Sequence, residues 1–247
     1  MWQNNEALAG ADGNPNNREQ PWPCGEILKI LAELNELCLE LLTEQALQQA
    51  SPAPPMFREL ADLWRQLDGA SRKRAAACPY LLVDAGFCDP YRWRWLGDQQ
   101  VGARTTERVH DREPIAYDGA YGTFFTVPGA TKVAQQVFAN AWYIVQSQPI
   151  GAPLFLGMPV HCAALFRACS MRQVTELANQ HAGWVRPRWT GRPMVWRQLL
   201  EAAISDKSPA LELARMHGVE LLAMELKALD RVTGTRARTP KGDHSSP

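Results

Sequence analysis

A stripe of hydrophobic residues at helical spacing constrains the fold of this chain more than any other feature. Between positions 26 and 49, five apolar residues recur at intervals of four, three, four and three: Ile27, Leu31, Leu34, Cys38 and Leu41. Residues at this spacing lie on one side of an α-helix. That apolar side is removed from water only when the helix packs against another element. Ile30, Leu37 and Leu42 widen the stripe, so the pattern predicts a helix in a bundle core rather than an isolated coiled coil.

Periodicity and capping residues predict further helices in both halves of the chain. One is expected from Met56 to Asp68, with Gly69 as its C-cap, and a short one from Ser71 that ends before Cys78. In the second half, the predicted helices cover 133–145, 160–168, a segment opened by the capping box of Ser170 and Gln173, 193–204 and 208–231. Residues 184–189 are expected to be extended, because a residue before proline disfavours the α region.

These patterns predict an all-α fold made of helical bundle units. The expected organisation is a disordered N-terminus (1–23), a helical unit (24–96), an irregular linker (97–127), a second helical unit (128–231) and a disordered basic tail (232–247). A hairpin around Ile115 to Phe125 is expected within the linker. No run of 18 apolar residues and no signal-peptide pattern is seen, so the expected location is cytoplasmic, with no membrane partner.

Charge and cysteine spacing limit the classes of partner. The chain carries 26 basic and 26 acidic residues, so no overall charge attracts it to nucleic acid or to an anionic membrane. Its six cysteines include no C-x-x-C pair, so no zinc site is predicted and the thiols are interpreted as small buried hydrophobes. No metal or cofactor is expected.

Motifs of common catalytic and nucleotide-binding sites do not occur in the sequence. The glycine-rich phosphate loops, the serine nucleophile elbow and the zinc-protease helix all fail to match. A site around Cys88, His110 and Asp111 is the remaining enzyme hypothesis, but no set of nucleophile, base and orienting group is visible there. The chain is therefore predicted not to be an enzyme, and no catalytic residue is nominated.

The second half resembles FlhD, the flagellar master transcriptional regulator of bacteria. The resemblance runs from about Val133 to Leu229, roughly 100 of the 247 residues. In chain order, the matching features are Gln135–Gln136 and Trp142–Gln146 in the family's long first helix, Leu154–Met158 in its small-residue run, Ser170–Gln173 and Leu177–Ala178 in its capped helix, Arg188–Trp189 in place of its Arg-Phe pair, and Met216–His217 in its last helix.

The resemblance implies an all-helical dimer that works with a zinc-containing partner, FlhC, in a complex that binds promoter DNA and recruits RNA polymerase. Two departures limit this implication. Residues 1–127 have no counterpart in the family and lack the four-cysteine zinc site of FlhC. Val185 stands where some members carry a cysteine that links subunits, so that disulfide is not possible here.

Two functions are therefore expected, a transcription regulator resembling FlhD or a helical protein–protein adaptor without nucleic-acid binding. For the regulator, the candidate DNA contacts are Arg186, Arg188, Arg192, Arg197 and His217, because arginines bind phosphate. The predicted partners are a second copy of the chain, a regulatory protein and promoter DNA. The candidate residues of the dimer or partner interface are Val137, Trp142, Ile144, Leu154 and Leu156.

Overall fold

The computed structural model describes residues 24–48, 53–90, 93 and 124–236, and within them the chain is mainly helical. The predicted all-α fold is confirmed. The helices are α1 (Cys24–Gln48), α2 (Pro55–Arg58), α3 (Ala61–Gln66), α4 (Gly69–Ala76), α5 (Ala130–Ser147), α6 (Ala152–Leu156), α7 (Val160–Arg167), α8 (Met171–Gln180), α9 (Pro193–Ile204) and α10 (Ser208–Arg236). Two 3-10 turns, Pro149–Gly151 and Ala182–Trp184, join some of them. Strands β1 (Val83–Asp84) and β2 (Arg186–Pro187) form a short antiparallel pair.

Helix α1 buries the predicted stripe, and all five of its residues belong to the hydrophobic core. Leu42 is buried with them, but Leu37 is exposed and Leu39 is buried, so the buried side of α1 is shifted around the helix from the predicted one. A polar residue, Asn35, lies within this buried side and is fully enclosed. Its Nδ2 donates to the carbonyls of Ala76 and Tyr80, at 3.1 and 2.9 Å, and its Oδ1 accepts from the backbone N–H of Leu82 at 2.8 Å. Asn35 therefore satisfies backbone groups of the segment after α4 that burial would otherwise leave unpaired.

The single helix predicted from Met56 to Asp68 is wrong, because the chain breaks into α2 and α3 near Leu60. The indole N–H of Trp64 donates to the carbonyl of Met56 at 3.0 Å, and that carbonyl is the one to which the N–H of Leu60 would donate in a continuous helix.

The predicted C-cap at Gly69 is also wrong, because Gly69 is the first residue of α4. Asp68 caps this helix, because its carboxylate accepts from the N–H of Ser71 at 2.7 Å.

The helices of the second half follow the sequence pattern closely. The capping box that opens α8 is confirmed, since Ser170 and Gln173 each accept from the other's backbone N–H. Helix α9 has the predicted bounds. Helix α10 reaches Arg236 rather than Arg231, so residues 232–236, predicted to belong to the disordered tail, are helical. The extended segment at 184–189 is confirmed only in part, because Trp184 ends a 3-10 turn and β2 follows it.

The two predicted helical units share one hydrophobic core. From the first half, the ring of Phe87 packs against Phe138 and Phe166 of the second, with ring centroids 6.5 and 6.4 Å apart. The rings of Trp64 and Trp196 lie 5.7 Å apart. Buried aromatic contacts of this kind contribute both apolar area and preferred ring geometry. The predicted boundary between units therefore does not separate two cores among the described residues.

The end of the predicted linker is also part of the folded body. Phe125 and Val127 are buried, and between them Thr126 exchanges hydrogen bonds with Gln45 of α1. The backbone N–H of Thr126 donates to Gln45 Oε1 at 2.9 Å, while Gln45 Nε2 donates to Thr126 Oγ1 at 3.0 Å. Residues 1–23, 94–123 and 237–247, and with them most of the expected hairpin, lie outside the described residues.

Helix α10 is seated against the first half of the chain at Gly218. The buried ring of Tyr80 lies against this glycine so closely that a Cβ at position 218 would overlap the tyrosine hydroxyl. A glycine in the middle of a helix costs about 1 kcal/mol relative to alanine. Here the missing side chain leaves the space that the tyrosine ring occupies.

We expect Gly218→Ala to destabilise the protein by about 1–3 kcal/mol, because the added methyl must displace the buried ring of Tyr80. Gly25→Ala is the matched control and should be neutral or stabilising, since Gly25 lies in α1 and a Cβ at this position would have no atom within 4 Å. Urea denaturation of both variants measures the difference. Equal midpoints for the two variants would contradict the close packing of Tyr80 on α10.

Candidate functional site

The side chain of Arg188 is buried and does not lie on the surface. Arg188 is 7% exposed, immediately after β2. Its Nε donates to the carbonyl of Leu81 at 2.9 Å, and one terminal nitrogen donates to the carbonyl of Leu156 at 2.5 Å. The same nitrogen lies 3.7 Å from a carboxylate oxygen of Asp84, which provides a partner for the buried charge. A buried arginine with such partners is held in place because removing it would leave these acceptors unpaired.

The backbone of Arg188 makes two more connections. Its N–H donates to the carbonyl of Leu82 at 3.0 Å, and its carbonyl accepts from the indole N–H of Trp196 at 2.8 Å. The residue thus joins the segment around β1, the end of α6 and the start of α9. The assignment of Arg188 as a DNA contact is therefore corrected, since its guanidinium cannot reach a phosphate without leaving these partners.

Gly157 makes room for this buried charge. It ends α6 with a φ of +60°, in the left-handed region that favours glycine. A Cβ at this position would lie 3.0 Å from the Arg188 guanidinium and 3.0 Å from Leu222. The sequence predicts a turn at Gly157, but it contains no signal that the turn faces an arginine, because the contact joins residues far apart in the chain.

The other four candidate DNA contacts do not form one free basic surface. Arg192 is exposed and Arg186 is half-buried. Arg197 lies 3.4 Å from Glu201 and donates to the carbonyl of Glu59 at 3.3 Å, so its charge is used within the fold. The imidazole Nδ1 of His217 is 2.9 Å from Gln198 Oε1. The arginines are near one another in sequence, but the structure directs them into different local contacts.

Three of the five candidate interface residues belong to the chain's own core. Val137, Ile144 and Leu156 are completely buried, so they are not available to a second chain in this conformation, and their assignment to an interface is corrected. Trp142 is partly buried, and its indole N–H donates to the carbonyl of Cys169 at 2.8 Å. Leu154 alone among the five is exposed. Periodicity identifies an apolar side correctly, but it does not say whether that side meets the same chain or another.

Two exposed apolar surfaces stand out among the described residues. The first, named here the apolar corner, consists of Ile150, Leu154 and Val160, on the 3-10 turn at Pro149–Gly151, α6 and α7; this turn contacts both helices. Ile150 is 91% exposed, an unusual position for a large aliphatic side chain. The second, named the α10 stripe, consists of Leu213, Met216 and Met224 on the outer side of α10. Contiguous exposed apolar residues often mark binding surfaces.

The described cysteines carry no sign of a reactive thiolate. Burial raises the pKa of Cys38 to about 12, that of Cys78 to about 11 and that of Cys88 to about 12, so these thiols stay protonated at neutral pH. The Cys88 thiol donates to the carbonyl of Gly157 at 3.0 Å. His110 and Asp111, its hypothetical partners, lie outside the described residues. Within the described residues, no three His, Cys, Asp or Glu side chains are grouped to hold a metal ion.

A small open groove of about 340 Å³ lies between the end of α1 and the pair α2 and α3. Leu47 and Phe57 line it with Arg58 and Arg65. Both arginines have an acidic neighbour, Glu59 and Asp62 respectively. Because the groove is open and its cations are paired locally, we assign it no ligand.

Among the described residues, no single helix is long and apolar enough to cross a bilayer. One bent pair, Pro149–Leu156 with Val160–Arg167, meets the requirements of length and composition together, with an angle of 115° between its parts.

Comparison of the chain with protein-family models, with curated proteins and with solved structures gives no match.

We expect Arg188→Gln to destabilise the protein by about 3 kcal/mol, because the carbonyls of Leu81 and Leu156 and the carboxylate of Asp84 lose a buried charged donor. Arg192→Gln is the matched control and should change stability by less than about 0.5 kcal/mol, since Arg192 is exposed. Chemical denaturation followed by circular dichroism measures both. A midpoint for Arg188→Gln that equals that of the control would refute the structural role of this arginine.

Proposed function

We propose that this protein is a helical adaptor that binds another protein through the apolar corner. The observation that carries the proposal is the exposure of Ile150, Leu154 and Val160 on three adjoining elements. A partner that covers these side chains would gain about 25 cal/mol of binding free energy for every Å² of apolar surface removed from water. The neutral net charge of the chain is in keeping with a partner bound by apolar contact rather than by charge.

The surroundings of the apolar corner support a rigid binding surface. Leu154 belongs to α6, whose end is fixed by the bond between Arg188 and the Leu156 carbonyl. Phe155, next to it, accepts from the backbone N–H of Leu81 through its carbonyl at 2.8 Å. A binding surface held by buried bonds loses little conformational entropy when a partner arrives.

The alternative function is a DNA-binding regulator, which the resemblance to FlhD suggests. Of its five candidate residues, Arg188 is buried, and Arg197 and His217 have partners within the fold. Of the five, Arg192 is the one that is exposed, and a single exposed arginine is little for a site that depends on phosphate neutralisation. The adaptor is therefore the function that the geometry favours.

A DNA-binding titration separates the two functions. For an adaptor, we expect no binding to duplex DNA at about 50 mM salt, where phosphate contacts are strongest, and none at about 200 mM salt. Binding at the lower salt that weakens steeply at the higher salt, and that Arg192→Gln reduces, would favour the regulator.

A pull-down from cell extract with the immobilised protein tests the apolar corner directly. We expect a protein captured from cell extract by the wild type to be lost with the double variant Ile150→Ser/Val160→Ser, because the apolar contact is removed. Leu47→Ser is the matched control, since Leu47 is also exposed but lies at the end of α1. If the corner variant and the control capture the same proteins, the apolar corner is not the binding surface.

A further inference from the structure

The start of α1 lies beside the end of α5. The hydroxyl of Tyr143, in the last two turns of α5, donates to Glu26 Oε1 at 3.2 Å. Near the other end of α1, Gln45 is hydrogen-bonded to Thr126, which precedes α5. The two helices are therefore antiparallel, and the chain enters α1 at the same end of the molecule at which α5 is followed by the 3-10 turn.

The apolar corner lies at this same end. Ile150 follows the last residue of α5 by three positions, so its backbone lies within about 11 Å of that residue. In the sequence, Trp22 precedes the first residue of α1 by two positions, so its backbone lies within about 7 Å of that residue. The covalent chain thus connects a large apolar residue to the molecule beside the corner.

The segment before α1 and the surroundings of the corner differ in charge. Residues 1–23 contain three acidic residues and one basic residue, namely Glu6, Asp12, Glu19 and Arg18. No acidic residue occurs between Asp118 and Glu176, the part of the sequence that forms α5, α6 and α7. At the end of α7, Arg167 is exposed, and its carbonyl accepts from Gln146 Nε2 of α5 at 2.8 Å. Charge complementarity therefore favours contact between the segment and this end of the molecule.

The prolines on both sides of Trp22 also favour such a contact. Pro21 and Pro23 flank this residue in the sequence. Proline fixes its own φ and restricts the residue before it to extended conformations. A side chain carried by a restricted backbone loses less conformational entropy when it binds.

We propose that the segment before α1, with Trp22 as its apolar anchor, occupies the apolar corner of the same chain and closes it to a partner. The indole would cover exposed apolar surface of Ile150, Leu154 and Val160. Because the segment is covalently attached, its effective concentration at the corner is on the order of millimolar, so a weak contact suffices. A partner must then displace the segment, and this regulatory role rests on the adaptor proposal.

Photo-crosslinking within the full chain tests the contact itself. We expect p-benzoylphenylalanine in place of Trp22 to form crosslinks to peptides that cover residues 148–160 of the same molecule. Addition of Ile150→Ser/Val160→Ser should lower the yield of this crosslink by about threefold or more, because the apolar contact is removed. The same probe in place of Leu47 is the matched control and should not reach the corner, since Leu47 is exposed at the opposite end of α1.

Absence of the crosslink from position 22, or an equal yield in the corner variant, would overturn the proposal. Crosslinks that join two chains would assign the segment to a second copy and would overturn it as well. Circular dichroism of every variant verifies that the helices are intact before its crosslinks are interpreted.

Trp22→Ser tests whether the contact regulates binding. The fraction of molecules with an open corner sets the apparent affinity, so we expect this variant to lower the apparent dissociation constant of the captured partner by about threefold or more. Unchanged affinity, in a protein that loses its partner with Ile150→Ser/Val160→Ser, would overturn the regulatory role. If the crosslink forms as expected but the corner variant captures the same proteins as the wild type, the adaptor proposal fails and the contact stands.

Discussion

The burial of one arginine is the constraint on which the arrangement of this protein depends. Arg188 is hydrogen-bonded to carbonyls that precede β1 and that end α6, and it faces the carboxylate of Asp84. A guanidinium suits this position because its donors point in several fixed directions at once, which an ammonium group cannot reproduce. Segments from both halves of the chain must therefore be correctly placed before the charge is satisfied, and a misplaced segment leaves it unpaired.

Asn35 has a comparable role and bonds to the same segment. It pairs with backbone groups of Ala76, Tyr80 and Leu82, while Arg188 pairs with Leu81 and Leu82. The irregular stretch between α4 and β1 is thus held by side chains from α1 and from the region after β2. Irregular backbone is seldom buried, because it cannot satisfy its own polar groups. Here two distant side chains supply the partners and allow the stretch to enter the core.

The sequence predicts local structure well and long-range contacts poorly. The stripe of α1 and the capping box at Ser170 were predictable because each depends on residues within one or two helical turns. The break near Leu60 was not, because it depends on the indole of Trp64 taking the carbonyl of Met56. For the candidate site, the composition around Arg188 suggests a basic surface, since a buried and an exposed arginine look alike in a sequence. Val137 and Ile144 were correctly identified as apolar, but which surface covers them is decided only by tertiary packing.

The unequal support of α10 has a consequence for motion in the folded state. Its first half is packed on Tyr80 and on the core, whereas after Leu222 none of its described side chains is buried. Beyond Glu225, which accepts a hydrogen bond from the indole of Trp189 at 2.9 Å, opening of the outer turns therefore costs less free energy than opening of the first half. Amide protons along this one helix should exchange with solvent at graded rates, slowest near Gly218 and fastest toward Arg236. A single secondary-structure element thus spans two levels of local stability, so its outer end can unwind and re-form while the rest of the protein stays native.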